Sequence, residues 1–131
     1  MQSMYFLLSI KKNIKNLKIA VDAGNGMAGK IIPLIYGKLD AKILPLFFKL
    51  DGNFPNHPAD PSKYVNLKKL QETVRKEKCS FGMAFDGDAD RVFFVDETGR
   101  VVNSSLISAL IIKNILGNSK NKGSILASSL P

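Results

Sequence analysis

Phe81-Gly82-Met83-Ala84-Phe85-Asp86-Gly87-Asp88-Ala89-Asp90-Arg91-Val92-Phe93-Phe94-Val95 is the stretch on which the architecture turns. Phe81 to Phe85 alternates as a half-buried strand does, and Val92 to Val95 reads as another. Only five residues, Gly87 to Arg91, separate Asp86 from Val92. A parallel crossover needs about a dozen residues or more, so these two strands pair antiparallel if they are neighbours.

Upstream the pattern changes. Lys18 to Asp22 reads as a short buried strand and Ala41 to Phe48 as a second. Between them Ala28, Ile31, Ile32, Ile35 and Leu39 recur at helical spacing, with Pro33 tolerable only near the first turn. Strands joined through a helix run parallel. The expected fold is therefore α/β: three layers, with a mixed, mostly parallel sheet flanked by helices. Lys49 to Val65, carrying Pro55, Pro58 and Pro61, is a long loop of the kind that usually has a function. Asn66 is placed to cap a helix whose apolar face is Leu67, Leu70 and Val74. Downstream, Glu97-Thr98-Gly99-Arg100 makes a turn into Val101-Val102. Ser104 or Ser105 can cap a last helix through Leu106, Ile107, Leu110, Ile111 and Ile115, stopped at Gly117, and Ser124 to Ala127 reads as a final strand. At the other end Phe6, Leu7, Ile10, Ile14 and Leu17 give an amphipathic helix.

A chain of 131 residues is one domain's worth. No apolar run approaches the length of a bilayer span, and the lysines at 11, 12, 15 and 18 follow the apolar stretch Met4–Ile10, whereas a signal peptide puts its positive charges first. The one cysteine, Cys79, excludes an internal disulfide and suits a reducing cytoplasm. Net charge of +8 raises nucleic acid as a partner. The lysines are spread over several expected helices without interleaved aromatics, which argues against it.

The acids are more informative. Asp86, Asp88, Asp90, Asp96 and Glu97 supply five of the eleven. Three carboxylates at alternate positions in a tight loop converge and repel, at about 1 kcal/mol per pair in water at 4 Å and about 4 at an effective dielectric of 20. A divalent cation reverses that sign, and hard oxygen ligands select magnesium or calcium over zinc or copper. Gly87 is read as the residue that lets the loop turn, and Ala89 as leaving room beside an ion. A calcium-binding EF-hand loop would take Asp86, Asp88, Asp90 and Glu97 as ligands, but it needs glycine where Arg91 stands, and it needs helical flanks. An aspartate-nucleophile phosphatase lacks its companion motifs here.

Gly24-Asn25-Gly26-Met27-Ala28-Gly29 follows a strand, opens a helix and matches G-x-G-x-x-G. A stand-alone nucleotide-binding module built on Gly24–Gly29 is thus an alternative. Against it, Asp40 comes too early and Asp51 too late for the ribose-binding acid, and in the phosphate-loop reading Ile31 replaces the required Ser or Thr. The same glycines also suit a tight turn with close packing.

Taken together, these segments resemble the second, metal-binding domain of the α-D-phosphohexomutase family, of the phosphomannomutase/phosphoglucomutase type. The resemblance runs from Lys18 to Val102 and weakens to the end. Val21-Asp22-Ala23-Gly24-Asn25-Gly26-Met27-Ala28-Gly29 is similar to the family's D-x-x-N-G loop, Gly52-Asn53-Phe54-Pro55-Asn56-His57-Pro58 to its F-P-N-H segment, and Ala84 to Arg91 to its metal loop. Residues 1–17 are then a linker helix from a first domain, and 18–131 are domain II. The resemblance implies that Asp86, Asp88 and Asp90 hold Mg2+ against a phosphoserine of another domain and that Arg91 helps hold phosphate. It also implies a hexose 1-phosphate or 6-phosphate substrate, a bisphosphate intermediate, and neighbouring domains of the same enzyme as partners. No serine here precedes a histidine, and the family's G-E-x-S-G-H sugar loop is missing. The chain alone is therefore expected to be inactive, to expose apolar surface where other domains pack, and to use His57 for structure.

Overall fold

β1 (Lys18–Asp22) is an apolar strand read by both faces of a sheet: Ile19 and Val21 point one way, Ala20 the other, and all three are buried. The computed structural model of the chain describes residues 14–38 and 40–118, with side chains as far as Asn114. After β1 come α1 (Ala28–Tyr36), β2 (Lys42–Leu46), a 3-10 turn (Tyr64–Leu67), α2 (Lys68–Lys76), β3 (Phe81–Phe85), β4 (Val92–Asp96), β5 (Val101–Val102) and α3 (Ser104–Asn118). The sheet order is β2-β1-β3-β4-β5. β1 is parallel to both β2 and β3, while β3 and β4 are antiparallel with Phe85 opposite Val92. The five-residue connection thus forces what the sequence led one to expect.

The order of connections sets the layers. β1-α1-β2 steps to one side of β1, and β2-α2-β3 steps back past it to the other. Right-handed crossovers in opposite directions place their helices on opposite faces. The core divides accordingly. Ala28 and Ile32 of α1 pack with Ile19, Val21 and Met83; Leu70 and Val74 of α2 pack with Ala20, Ala84 and Val95. β1 therefore sits at the point where the winding reverses. The loops that leave the carboxyl ends of β1 and β3 emerge there side by side, Asp22 being opposite Ala84.

Several local expectations are corrected. Asn66 does not cap α2. The cap position is Leu67, without a side-chain bond, and Asn66 instead donates from Nδ2 to the Asp60 carbonyl at 2.8 Å, inside the 3-10 turn. Loop tethering outcompetes capping because Asp60 lies within reach of the buried amide. Pro33 stands sixth in α1 rather than in the first turn. It removes one helical bond, and the burial of Ala28 and Ile32 keeps the helix together until Tyr36. Ile31 and Ile35, expected in the core, are 38% and 51% exposed, because α1 meets the sheet along the narrower Ala28–Ile32 stripe.

The chain divides into two compact units, Met1–Val101 and Val102–Pro131. In the second, the cap is Asn103 rather than Ser104 or Ser105: its Oδ1 accepts from the Ser105 N–H at 2.8 Å, and its carbonyl from Leu106 at 3.0 Å. α3 runs through Gly117 to Asn118. Its Leu106, Leu110 and Ile111 are exposed, as is Leu34 of α1 in the first unit, matching the apolar surface expected of the chain. The expected strand Ser124–Ala127 and most of the expected helix over 1–17 lie outside the described residues. Of the latter, Leu17 N–H donates to Ile14 O at 3.1 Å and Asn16 takes a left-handed φ of 71°.

Cys79 is a free thiol buried in the α2 face of the core, and burial pushes its pKa up. A raised pKa means that its share of stability is present at low and neutral pH and is lost as the pH rises through the folded value. Disulfide-exchange labelling at neutral pH should run on the order of 100-fold slower in the native chain than in denaturant, an opening cost of about 3 kcal/mol. Equal rates would refute the buried placement.

Candidate metal centre

Asp86 is carried at the end of β3, and its backbone N–H donates to Arg91 O at 3.3 Å, which closes the loop. The loop turns through Ala89, whose φ is +66°, and not through Gly87. Left-handed backbone in a non-glycine residue is strained, and here the Ala89 methyl is drawn into the core packing on the α1 face. That turn brings Asp86, Asp88 and Asp90 together, with one carboxylate oxygen from each within 4.8 Å of the others. Asp86 is buried and the other two are exposed, so the cluster opens to solvent on one side. The donor set is three hard oxygens in reach of one point, which fits magnesium or calcium.

Arg91 closes the loop on Asp86. Its backbone N–H donates to Oδ1 at 3.1 Å and its Nε to Oδ2 at 2.7 Å. Burial works to raise the Asp86 carboxyl, yet the Arg91 amide, the guanidinium and Asp90 together hold it below the usual range. Asp90 moves the other way, raised by its hydrogen bond with Asp86 and by the charge of Asp88. Opposite shifts in neighbouring carboxyls are the mark of crowded like charges. The guanidinium is 56% exposed, and Asp60 Oδ1 stands 4.0 Å from its Nη1.

Two further loops reach this end of the sheet. The glycine loop after β1 does not offer a phosphate cradle. Gly24 N–H donates to Asp22 Oδ1 (2.8 Å), Asn25 to Phe47 O (2.8 Å), Gly26 to Ala23 O (2.7 Å), Met27 to Gly87 O (2.9 Å) and Gly29 to Gly26 O (3.2 Å). A dinucleotide site needs such amides free to bind pyrophosphate, so G-x-G-x-x-G here is a packing turn. The reason for glycine at 26 is direct: a Cβ there would lie 2.6 Å from Gly87 O and 2.9 Å from Gly87 Cα.

The proline-bearing loop lies against both. Asn25, buried and left-handed at φ 62°, donates from Nδ2 to Lys49 O at 2.8 Å and accepts from Asn56 Nδ2 at 2.7 Å. His57 Nδ1 faces Pro58 O at 2.8 Å, which can only accept, so Nδ1 carries a proton. His57 Nε2 faces Asp22 Oδ2 at 3.0 Å, and the proton between them is held by one or shared. Burial pushes the Asp22 carboxyl up, opposed by the charge of His57 and the Gly24 N–H. His57 is thus a structural hydrogen-bonder, as expected. Its partner Asp22 and the loop-holding Asn25 stand in the sequence as the D and N of the D-x-x-N-G loop, which assigned neither of them a contact, and Asp60 carried no signal.

A family model described as phosphoglucomutase/phosphomannomutase, alpha/beta/alpha domain II, matches residues 2–99. Among curated relatives, phosphomannomutase/phosphoglucomutase of Pseudomonas aeruginosa is 43% identical over 109 residues, covering 83% of this chain and 23% of its own length. Phosphoglucomutase of Neisseria gonorrhoeae is 39% identical over 100 residues, 76% of this chain and 22% of its own. A crystal structure of a phosphoglucomutase/phosphomannomutase family protein from Burkholderia thailandensis superposes with a TM-score of 0.75 at 33% identity, covering 87% of this chain and 26% of that one. This chain therefore spans about a quarter of the length of such relatives, and it belongs to the phosphoglucomutase/phosphomannomutase family through that family's alpha/beta/alpha domain II.

Proposed function

We propose that this chain is the magnesium-binding domain of a phosphohexose mutase, with Asp86, Asp88 and Asp90 as ligands. The observation that carries the reading is the convergence of three carboxylates at the carboxyl end of β3, beside the reversal point of the sheet. When bound, the cation would neutralise charge on a phosphoryl group that comes from outside the chain. Arg91 is held by Asp86 through Nε, which leaves its exposed Nη groups to grip phosphate oxygens. Asp60 restrains the same guanidinium from the other side.

In this reading the whole protein interconverts hexose 1-phosphate and 6-phosphate, of mannose or glucose, through a phosphoserine and a bisphosphate intermediate. The names of the relatives support that class of substrate. No Ser-His pair or G-E-x-S-G-H loop is present in these residues, so the nucleophile and the sugar site belong to neighbouring domains, and the chain alone is inactive. A reducing, cytoplasmic setting goes with the free Cys79. Among the described residues no helix is long and apolar enough to cross a membrane.

The test is a magnesium titration of the 131-residue chain, followed by amide shifts of residues 86–91. Saturable shifts are expected, and Asp88→Asn should weaken the apparent affinity at least about 10-fold, since even partners behind a ligand are worth 10–100-fold. Asp88 is exposed, so folding should survive the change. Equal affinity in the variant would remove the triad from the metal site.

A further inference from the structure

We propose that His57 is a positioning residue for the aspartate loop, acting across the proline-bearing loop that it pins to β1; the proposal rests on the metal reading above. Gly87 lies between two walls. On one side the glycine turn holds it, with Met27 N–H on its carbonyl at 2.9 Å and no room for a Cβ at position 26. On the other side stand Phe54 and Ala59, whose carbons lie 3.4 Å and 3.9 Å from where a Gly87 Cβ would be. Ala59 also packs on Gly24, at 3.2 Å from a Cβ there. Phe54 and Ala59 flank Asn56 and His57 in sequence, and these two make the bonds that seat the loop. Asn56 bonds Asn25, and His57 bonds the buried Asp22. Phe47 meets the His57 ring edge-on at 5.2 Å between centroids, which limits its swing.

The chain of contacts thus runs from Asp22 at the end of β1, through His57 and Ala59, to Gly87 between two of the aspartates. Nothing in it touches a carboxylate of the triad directly. If the His57 anchor is cut, the second wall loosens while the sheet beneath stays intact. Asp86 remains held by Arg91, but Asp88 loses the backbone support on its N-terminal side. Asp22 and His57 therefore control how well the three oxygens are gathered, in the way that supports behind metal ligands do.

The two ring nitrogens can be tested apart. Gln places an amide nitrogen near the position of Nε2 and keeps the Asp22 contact. Asn places one near Nδ1 and keeps only Pro58. Binding of Mn2+, an oxygen-seeking probe, to the 131-residue chain is read from the loss of the free-ion electron paramagnetic resonance signal. His57→Asn should weaken Mn2+ binding about 10-fold and His57→Gln by no more than about 2-fold. Val74→Ala, on the opposite face of the sheet, should lower the melting temperature and leave the affinity alone. Should His57→Asn fail to fold, Asn56→Ala decides, with a similar loss expected. Wild-type affinity in His57→Asn, or in Asn56→Ala where that variant decides, overturns the positioning role and leaves the metal site standing. Failure of the wild-type chain itself to take up Mn2+ overturns the metal reading, and this inference with it.

Discussion

Gly26→Ala is expected to lower the melting temperature by roughly 10 °C, equivalent to about 2–3 kcal/mol, and to weaken divalent-cation binding in the molecules that remain folded. The new methyl would sit 2.6 Å from Gly87 O, 2.9 Å from Gly87 Cα and 3.1 Å from Ala23 O. All three are backbone atoms, and none can swing aside as a side chain would. Ala23 is part of the buried core on the α1 face, so the Gly87 segment has to yield. Its displacement breaks the Met27 N–H bond to Gly87 O and pulls Gly87 away from the seat between Asp86 and Asp88. Scanning calorimetry with and without magnesium checks both halves of this expectation. A variant as stable as wild type would mean that the two loops do not meet as described.

Leu70→Ala should cost about 3–4 kcal/mol, a fall of roughly 15 °C, without changing metal affinity at temperatures where the variant is folded. Leu70 has no exposed surface and sits among Ala20, Val74, Ala84 and Val95. β-Strand backbone forms the floor of that cluster, so it cannot collapse into the space left by an isobutyl group, and the cavity term adds to the lost transfer energy. The aspartate loop and the glycine turn pack toward the other face, around Ala23, Ala28 and Ala89. Urea unfolding should show a lower midpoint with an unchanged slope. A shift below about 1 kcal/mol would place Leu70 outside a rigid core. The pair of variants separates stability from site geometry: one change acts on both, the other on stability alone.

The residues that could be read correctly in advance share a feature. Lys18–Asp22 and Phe81–Phe85 are strands from end to end because their apolar runs admit no competing period. Leu70 and Val74 lie on one side of α2 with charged residues between them, Leu67 ends the 3-10 turn before it, and all three are buried. Two of the misreadings fell where polar groups competed for one role. Asn66 could cap a helix or tie down a loop, and it does the second. Asn103, not the serines beside it, reaches the first amides of α3. In the aspartate loop, glycine was the natural choice for the left-handed turn, yet Ala89 takes it because its methyl has a core position to fill.

By itself the sequence determined the mixed sheet and the gathering of three aspartates, because both follow from short spans of chain: a five-residue link cannot cross over, and alternate acids in such a link cannot stay apart. Only the tertiary structure decided what G-x-G-x-x-G does and what His57 touches. Asp22 and His57 are 35 residues apart, and two amides of the glycine turn, those of Asn25 and Met27, are satisfied by Phe47 and Gly87 from two other loops. The same letters can cradle a phosphate or hold a neighbouring loop. Which of these happens depends on whether distant backbone oxygens reach those amides first, and that is settled by how the sheet winds.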